Sequence, residues 1–556
     1  MIRFFHGLTA RPRLLAELLA ASLLINLLGL AGTVFVMLVL GRYVPYGITA
    51  TLVTLSVGMV IALAAEFGLR LARRRLAAEA LEQDATKRGE DGFAALLNVK
   101  AAIFDRMPTE RRSDILRAVD TVERTHNAAN LTALLDVPFA AITVLALLLI
   151  SPALGSITVV FLALSSGLTW AGERWYRNRI GLAQNSERQL RGLAEDAANL
   201  DTIRTFNAAN WLARRWRQIR QDLTRHADDS ASIQGAVSAA SSFLTGAQTV
   251  AVIGYGATLC VDGSLTTAQL IGANILAGRA MAPLLRLAQL AEPMARAVMA
   301  LKLLAEAAQL PREQVNGTAL SQFQGRLELQ DLAFTHPGAV APLAEHVTLT
   351  LPAGGILVVI GPSGTGKTVF ARLLLALADP LRGRILVDGL ELRQISHEWW
   401  RQQVCYVPQQ PEFLDGSIAD NLRLGRDGVD DAALYAAIAE TGLKPWLDTT
   451  PNGLQTMIEQ GGRRLPPGLR HRLALARALA GGGKLCLFDD PSTGLDAEAR
   501  QALYDTLRRL SAEGRTMVIC SNDPAIARGA SLLLDLGTKP VPRLAAKPQD
   551  AEAGHD

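Results

Sequence analysis

Several stretches in the first 310 residues run the thickness of a bilayer with few or no charges, and nothing else in the chain restricts its fold as strongly. The hydrocarbon core offers no water to backbone N–H and C=O groups, so a crossing segment is a helix or part of a closed barrel. Roughly 20 apolar residues suffice for a helix. Spans are expected at about 18–40, 48–70, 131–150, 154–172, 238–261 and 265–290. Val137 to Gly172 is uncharged for 36 residues, but SPALG (Ser151 to Gly155) interrupts it, and it reads as two spans joined by a tight turn. No small-residue cleavage site follows the first stretch, which reads as an anchor rather than a removed signal peptide. The sixth stretch contains Arg279 and Arg286. A charge within a span either faces a cavity or partner or snorkels to the membrane edge. For Arg279 the sequence leaves both open.

Arginine placement gives an orientation. Arg3, Arg11 and Arg13 precede the first span; Arg70, Arg73, Arg74 and Arg75 end the second; Glu173 to Asp229 holds eleven arginines. The loops between hold only Arg42 and Asp262 as charges. The N-terminus, both long loops and the C-terminal half are therefore expected on the cytoplasmic side. With 556 residues the chain exceeds one core. We divide it into a transmembrane domain (1–310), a linker (311–323), a cytosolic domain (324–537) and a disordered tail (538–556). A net charge of +4 argues for no nucleic-acid partner. Cys405, Cys486 and Cys520 lie in short apolar runs and read as buried reduced thiols.

The cytosolic part changes pattern. VTLTL (Val347 to Leu351) alternates like a half-exposed strand, and ILVVI (Ile356 to Ile360) is a continuous buried run of the parallel-sheet kind. GPSGTGKT follows at once: Gly361, Pro362, Ser363, Gly364, Thr365, Gly366, Lys367 and Thr368, leading into a helical VFARLLLALA. Strand, G-x-x-x-x-G-K-[ST], helix is the context of a phosphate loop. The glycines let backbone N–H groups surround phosphate oxygens; Lys367 adds charge at the terminal phosphates, and Thr368 can ligate Mg²⁺. KLCLFDDPSTGLD supplies carboxylates at the end of another apolar strand. Asp489 is expected to hold Mg²⁺ through water, and Asp490 to polarise the attacking water.

The order of motifs resembles the ATP-binding cassette transporters: Gly361 to Thr368, Gln409 in YVPQQP, LPPGLRHRLALARAL, LFDDPSTGLD, then TMVICSND. The resemblance covers nearly the whole chain, as six spans ahead of one cassette. It implies a half-transporter whose fold is a six-helix membrane bundle fused to an α/β P-loop NTPase domain. It further implies ATP and Mg²⁺ as cofactors, Gln409 as the sensor of γ-phosphate and Mg²⁺, and a second half-transporter, identical or different, as partner. LTALLDVPFAAI (Leu131 to Ile142) and LIGANILAGRAMAPL (Leu270 to Leu284) look like type I secretion ATPases. That implies the bacterial inner membrane, an exported polypeptide, a periplasmic adaptor and an outer-membrane channel. Fewer than twenty residues precede the first span, and no peptidase-like N-terminal domain is expected.

Four family positions are altered. Counting back from Arg472 sets Leu465, Pro466, Pro467, Gly468 and Leu469 on the signature LSGGQ. Two prolines replace groups that would face the opposite subunit's γ-phosphate; the same prolines make a good helix start. Gly468 keeps its N–H. Asp490 stands where a catalytic glutamate is usual, Asn522 in CSND where a switch histidine is usual, and His336 in FTHPG where an aromatic stacks on adenine. The expectation is a polypeptide exporter ATPase with weakened hydrolysis. The alternatives are a non-catalytic regulatory half-transporter and an exporter of lipid or small molecules.

Overall fold

The computed structural model of the chain describes residues 11–546, apart from Ala198, Val315, Asn316, Pro337, Gly338, Val340 and Asp427. Arg3 and residues 547–556 of the expected tail lie outside the described residues. Two compact units emerge: one contains the chain up to Asn98 together with Met107–Leu310, the other Val99–Arg106 and the chain from Pro311 onward.

Among the described residues of the first unit, six helices are long and apolar enough to cross a membrane: Pro12–Tyr46, Thr49–Leu81, Ala128–Ile150, Pro152–Gly172, Ala209–Val261 and Thr267–Leu290. The third and fourth are joined as the sequence suggests. Ser151 is extended and caps Leu154 N–H, while Pro152 occupies the first helical turn, where its missing N–H costs nothing. Four helices outrun the bilayer: Thr49–Leu97, Pro152–Asp196, Ala209–Val261 and Thr267–Ala308 have 49, 45, 53 and 42 residues. At 1.5 Å per residue each is about twice the hydrocarbon thickness or more.

Arg73, one of the four arginines at the end of the second span, does not face solvent. Its guanidinium is buried and donates to Asp136 Oδ1 at 2.5 Å and to Ser22 Oγ at 3.0 Å. The pair ties the second helix to the third beside an apolar cluster of Leu18, Ala77, Leu81, Leu131 and Leu134. Truncating one partner of a buried pair strands the other's charge, at about 3–5 kcal/mol. Asp136→Ala is therefore expected to lower the thermal unfolding midpoint strongly, and a paired Arg73→Leu/Asp136→Leu change to restore most of it, in detergent-solubilised protein.

In the second unit a six-stranded sheet runs Arg543–Ala546, Leu532–Asp535, Ile356–Ile360, Thr516–Cys520, Leu485–Asp489, Val404–Val407. Four of the five pairings are parallel, and Ile356–Ile360, Leu485–Asp489 and Thr516–Cys520 are buried almost throughout. A second, antiparallel sheet carries Leu327–Phe334, Ala344–Leu351, Arg382–Val387 and Leu390–Glu391. Ala344–Leu351 alternates buried and exposed along VTLTL, as its sequence pattern requires. Cys405, Cys486 and Cys520 are buried free thiols.

Two boundaries differ from the sequence reading. The expected disordered tail begins with structure: Arg543–Ala546 pairs antiparallel with Leu532–Asp535, from Leu532 opposite Ala546 to Asp535 opposite Arg543. An edge strand with unpaired backbone groups recruits a neighbour regardless of composition. Val99–Arg106, assigned to the membrane part, belongs to the second unit, where Lys100 pairs with Asp379 at 2.7 Å and Arg372 with Asp105. The described residues of the linker are docked on the second unit. Arg312 bridges to Val99 and Thr318 to Ile395. Glu313 accepts from Arg401 Nη1 at 3.0 Å, with His397 Nδ1 3.7 Å from its other oxygen.

Burial alone would raise the Glu313 carboxyl, but His397 at 3.7 Å and the hydrogen bonds and charge of Arg401 hold it down at about 2. A depressed native pKa gives stabilisation that is complete above the ordinary value of 4.5 and lost as pH falls towards 2. Glu313→Gln should therefore flatten the acid side of the stability curve in that window, as read from urea midpoints of the full chain. Unchanged acid sensitivity would show that the latch contributes nothing.

Candidate functional site: a phosphate cradle at the carboxyl edge of the sheet

The parallel register brings the chemistry together. Ile356–Ile360, Thr516–Cys520, Leu485–Asp489 and Val404–Val407 end on one edge, with Cys520 opposite both Val359 and Asp489, and Val407 opposite Phe488. The turns that follow them hold Gly361, Asn522, Asp490 and Gln409, so residues more than a hundred positions apart meet at the crevice where parallel sheets bind ligands.

The loop after Ile360 curls through positive φ at Gly361, Gly364 and Gly366, at 149°, 85° and 104°. A Cβ at Gly366 would approach Leu343 Cδ1 to 2.9 Å. Helix Lys367–Leu374 starts at that glycine and aims its free N–H groups into the loop. Thr365 Oγ1 closes the turn on Pro362 O at 2.9 Å, and the Lys367 ammonium donates to Gly361 O at 2.7 Å. Lys367 is only 7 % exposed.

Asp489 is fully buried, and neither carboxylate oxygen has a hydrogen-bond partner among the described residues. Burial raises its carboxyl above the ordinary range; nearby Thr368 and Lys367 oppose this, while Asp490 adds to it. Asp490 sits in the left-handed region at φ 45°, with its N–H on Cys520 O at 2.8 Å. Its Oδ2 accepts from Gln409 Nε2 at 3.2 Å. Asn522 Oδ1 accepts from Gly361 N–H at 3.0 Å, joining the turn after Thr516–Cys520 directly to the start of the loop. Thr335, His336, Pro362, Ser363, Gly364, Lys367, Thr368, Gln409 and Asp490 line one open cavity of about 810 Å³. With Gly366, nine expected residues and their neighbours thus share a single space.

Gly468 is elsewhere. Helix Pro467–Ala480 begins with Pro466 as cap and Pro467 as first residue, and no side chain caps it. Its first turn keeps only the Gly468 and Leu469 N–H groups. Two contributors escaped the sequence reading. His471 lies between the Pro467 carbonyl, 2.9 Å from Nδ1, and the Gln409 carbonyl, 3.1 Å from Nε2, and so ties the signature turn to the Gln409 loop. Ala102, Asp105 and Arg106 enter the cavity from a segment over two hundred residues upstream, a placement that no local pattern announces.

Residues 15–284 match the ABC transporter transmembrane region, and residues 344–493 the ABC transporter ATPase domain. The chain belongs to the ABC transporters. This ABC transporter is 28 % identical over 529 residues to the type I secretion ATP-binding protein PrsD of Rhizobium meliloti, covering 92 % of the chain and 88 % of that protein. It is 25 % identical over 545 residues to the alpha-hemolysin translocation ATP-binding protein HlyB of Escherichia coli O157:H7, covering 96 % of the chain and 75 % of that protein. Among solved structures, a bacterial Atm1-family ABC exporter with ATP bound superposes with a TM-score of 0.85 at 19 % identity, over 95 % of this chain and 94 % of that one. At that identity the match establishes the fold: a helical membrane region followed by an α/β cassette. The transporter is a multi-pass membrane protein with an ABC ATPase domain.

Proposed function

We propose that this ABC transporter is the ATP-driven inner-membrane subunit of a bacterial polypeptide exporter, with its cassette in the cytoplasm and a slowed hydrolytic cycle. The relatives named for type I secretion and toxin translocation support the polypeptide cargo. By the same analogy the chain works as a dimer with another half-transporter and engages a periplasmic adaptor and an outer-membrane channel. The arginine-rich ends of the second span and of the Glu173 to Asp229 loop support the orientation.

The observation that carries the ATP reading is Asp489: a fully buried carboxylate with two unpartnered oxygens, beside a phosphate loop that holds a buried lysine. Such a group is tolerated where a cation completes it. Asp489, Thr368 and Gln409 fit Mg²⁺, which when bound neutralises phosphate charge. The amides from Ser363 to Thr368, in the loop that Gly361 and Pro362 open, cradle the phosphates, Lys367 contacts the terminal ones, and His336 stacks on the adenine. Asp490, held by Gln409, orients the attacking water, and Asn522 hydrogen-bonds the γ-phosphate without adding charge. Gly468 faces the nucleotide of the opposite subunit.

The slowed cycle follows from short reach and missing donors. Asp490 is one methylene shorter than glutamate, and about an ångström of misplacement costs roughly a hundredfold. Purified protein in lipid nanodiscs is therefore expected to release phosphate below ~0.1 per second, against ~10 per second for a typical enzyme. Turnover at the ordinary rate, abolished by Lys367→Ala, would refute the slowed cycle. For the cargo, chromosomal Lys367→Ala should remove one or a few polypeptides from the culture medium. A change confined to lipids or small molecules would overturn the polypeptide reading.

A further inference from the structure

Asn522 is the second residue beyond its strand, and its neighbours on both sides are tied down. Ser521 is buried and keeps the register of the sheet, with its N–H on Val359 O at 3.0 Å. Asp523 uses both carboxylate oxygens: Oδ1 accepts from Ala525 N–H at 2.9 Å and Oδ2 from the Tyr504 hydroxyl at 2.5 Å. The Asp523 N–H returns to Ser521 Oγ at 3.1 Å. Asn522 itself is exposed, and its Oδ1 is committed to the Gly361 N–H. Its amide NH₂ is therefore the part that can donate to a phosphate.

Tyr504 lies on helix Ala497–Ala512, which continues the chain from the turn that holds Asp490. Asp496 caps that helix through Ala499 N–H at 2.8 Å. Leu503, Leu507 and Leu510 bury it against Ile519 and Ile526, and the Tyr504 ring packs at the edge of the same cluster. Packing thus fixes the ring, and the hydroxyl is a donor in a set place. Its hydrogen bond to Asp523, with burial and the carboxylate's charge, raises it above the ordinary phenol range, so the donor keeps its proton. A cap for the four-residue helix Pro524–Ala527 needs only Asp523 Oδ1. The bond from Tyr504 falls on the other oxygen and ties the turn of Asn522 to a helix nineteen residues upstream.

We propose that Tyr504 is a positioning residue: through Asp523 it holds the Asn522 amide where the terminal phosphate of ATP is bound. This rests on the reading that Asn522 hydrogen-bonds the γ-phosphate. The test uses full-length transporter in lipid nanodiscs with Mg²⁺, and titration calorimetry with ADP and with a non-hydrolysable ATP analogue. The two ligands differ in the γ-phosphate, so the ratio of their affinities reports contacts to that group alone. Asn522→Ala should cut the preference for the analogue at least about fivefold. Tyr504→Phe keeps the packed ring and removes only the hydroxyl. It should cut the preference roughly threefold, with ADP affinity and the thermal unfolding midpoint unchanged. On the Asn522→Ala background the same change should cost nothing further, because both act through one amide. A parent-like preference in Tyr504→Phe, beside a reduced one in Asn522→Ala, overturns the positioning role and leaves Asn522 on the phosphate. Equal losses for both ligands, or an equal loss on both backgrounds, make the hydroxyl a general support of the fold and overturn the role as well. A parent without preference for the analogue, or a parent-like preference in Asn522→Ala, overturns both.

Discussion

Lys367→Ala is expected to weaken magnesium-dependent ATP binding by at least about a hundredfold, the largest loss any single substitution in this chain should produce. The ammonium is buried and held 2.7 Å from Gly361 O, so its position is set before nucleotide arrives. Losing it removes two or more charge-assisted contacts, each worth roughly 1.5–3 kcal/mol. A second effect adds to this. Lys367 opposes the rise that burial imposes on the Asp489 carboxyl, so its removal favours protonated Asp489, which is a poor cation ligand. The affinity should be measured by titration calorimetry with and without Mg²⁺, alongside thermal unfolding to establish that the variant folds. Affinity within threefold of the parent would remove the phosphate loop from the mechanism.

The largest expected gain comes from the signature turn. Replacing Pro466 with serine and Pro467 with glycine should raise steady-state ATP turnover by roughly ten- to a hundredfold. Pro467 occupies the first position of its helix and Pro466 the cap, so neither offers an N–H, and no side chain caps the end. The double change returns two backbone donors and a hydroxyl to the end of the helix that carries partial positive charge. Its cost is modest: glycine in place of a preorganised proline loosens the helix start by about 1 kcal/mol. Lower thermal stability with higher turnover is therefore the expected signature. Turnover unchanged within twofold would place the limiting step elsewhere, with Asp490→Glu as the next substitution to combine.

The site was legible in unequal parts. The phosphate loop was readable because its geometry is local: three glycines at positive φ, a lysine and a threonine all fall within eight residues between a strand and a helix. The pairing of Gln409 with Asp490 was not local, nor was that of Asn522 with Gly361, since each joins turns at the ends of different strands. His471 went unread because a histidine in a Leu-, Ala- and Arg-rich helix gives no sign that both ring nitrogens face carbonyls. The burial of Arg73 went unread for a related reason. In sequence it is one of four arginines after an apolar run, and only the third helix supplies the carboxylate that draws it inward.

The sequence by itself determined the number of spans, the glycine-rich loop before Lys367 and the proline start of helix Pro467–Ala480, because runs of apolar residues, glycine spacing and proline's missing N–H act within a few residues of where they are written. Tertiary structure decided where the buried charges go. It set Arg73 on Asp136, Glu313 on Arg401, Arg279 on a carbonyl of the first span, and among the described residues it left the Asp489 oxygens without a hydrogen-bond partner. The reason is the cost of burying charge: each such group is settled by the nearest complementary atom in space, and that atom belongs to a distant part of the chain.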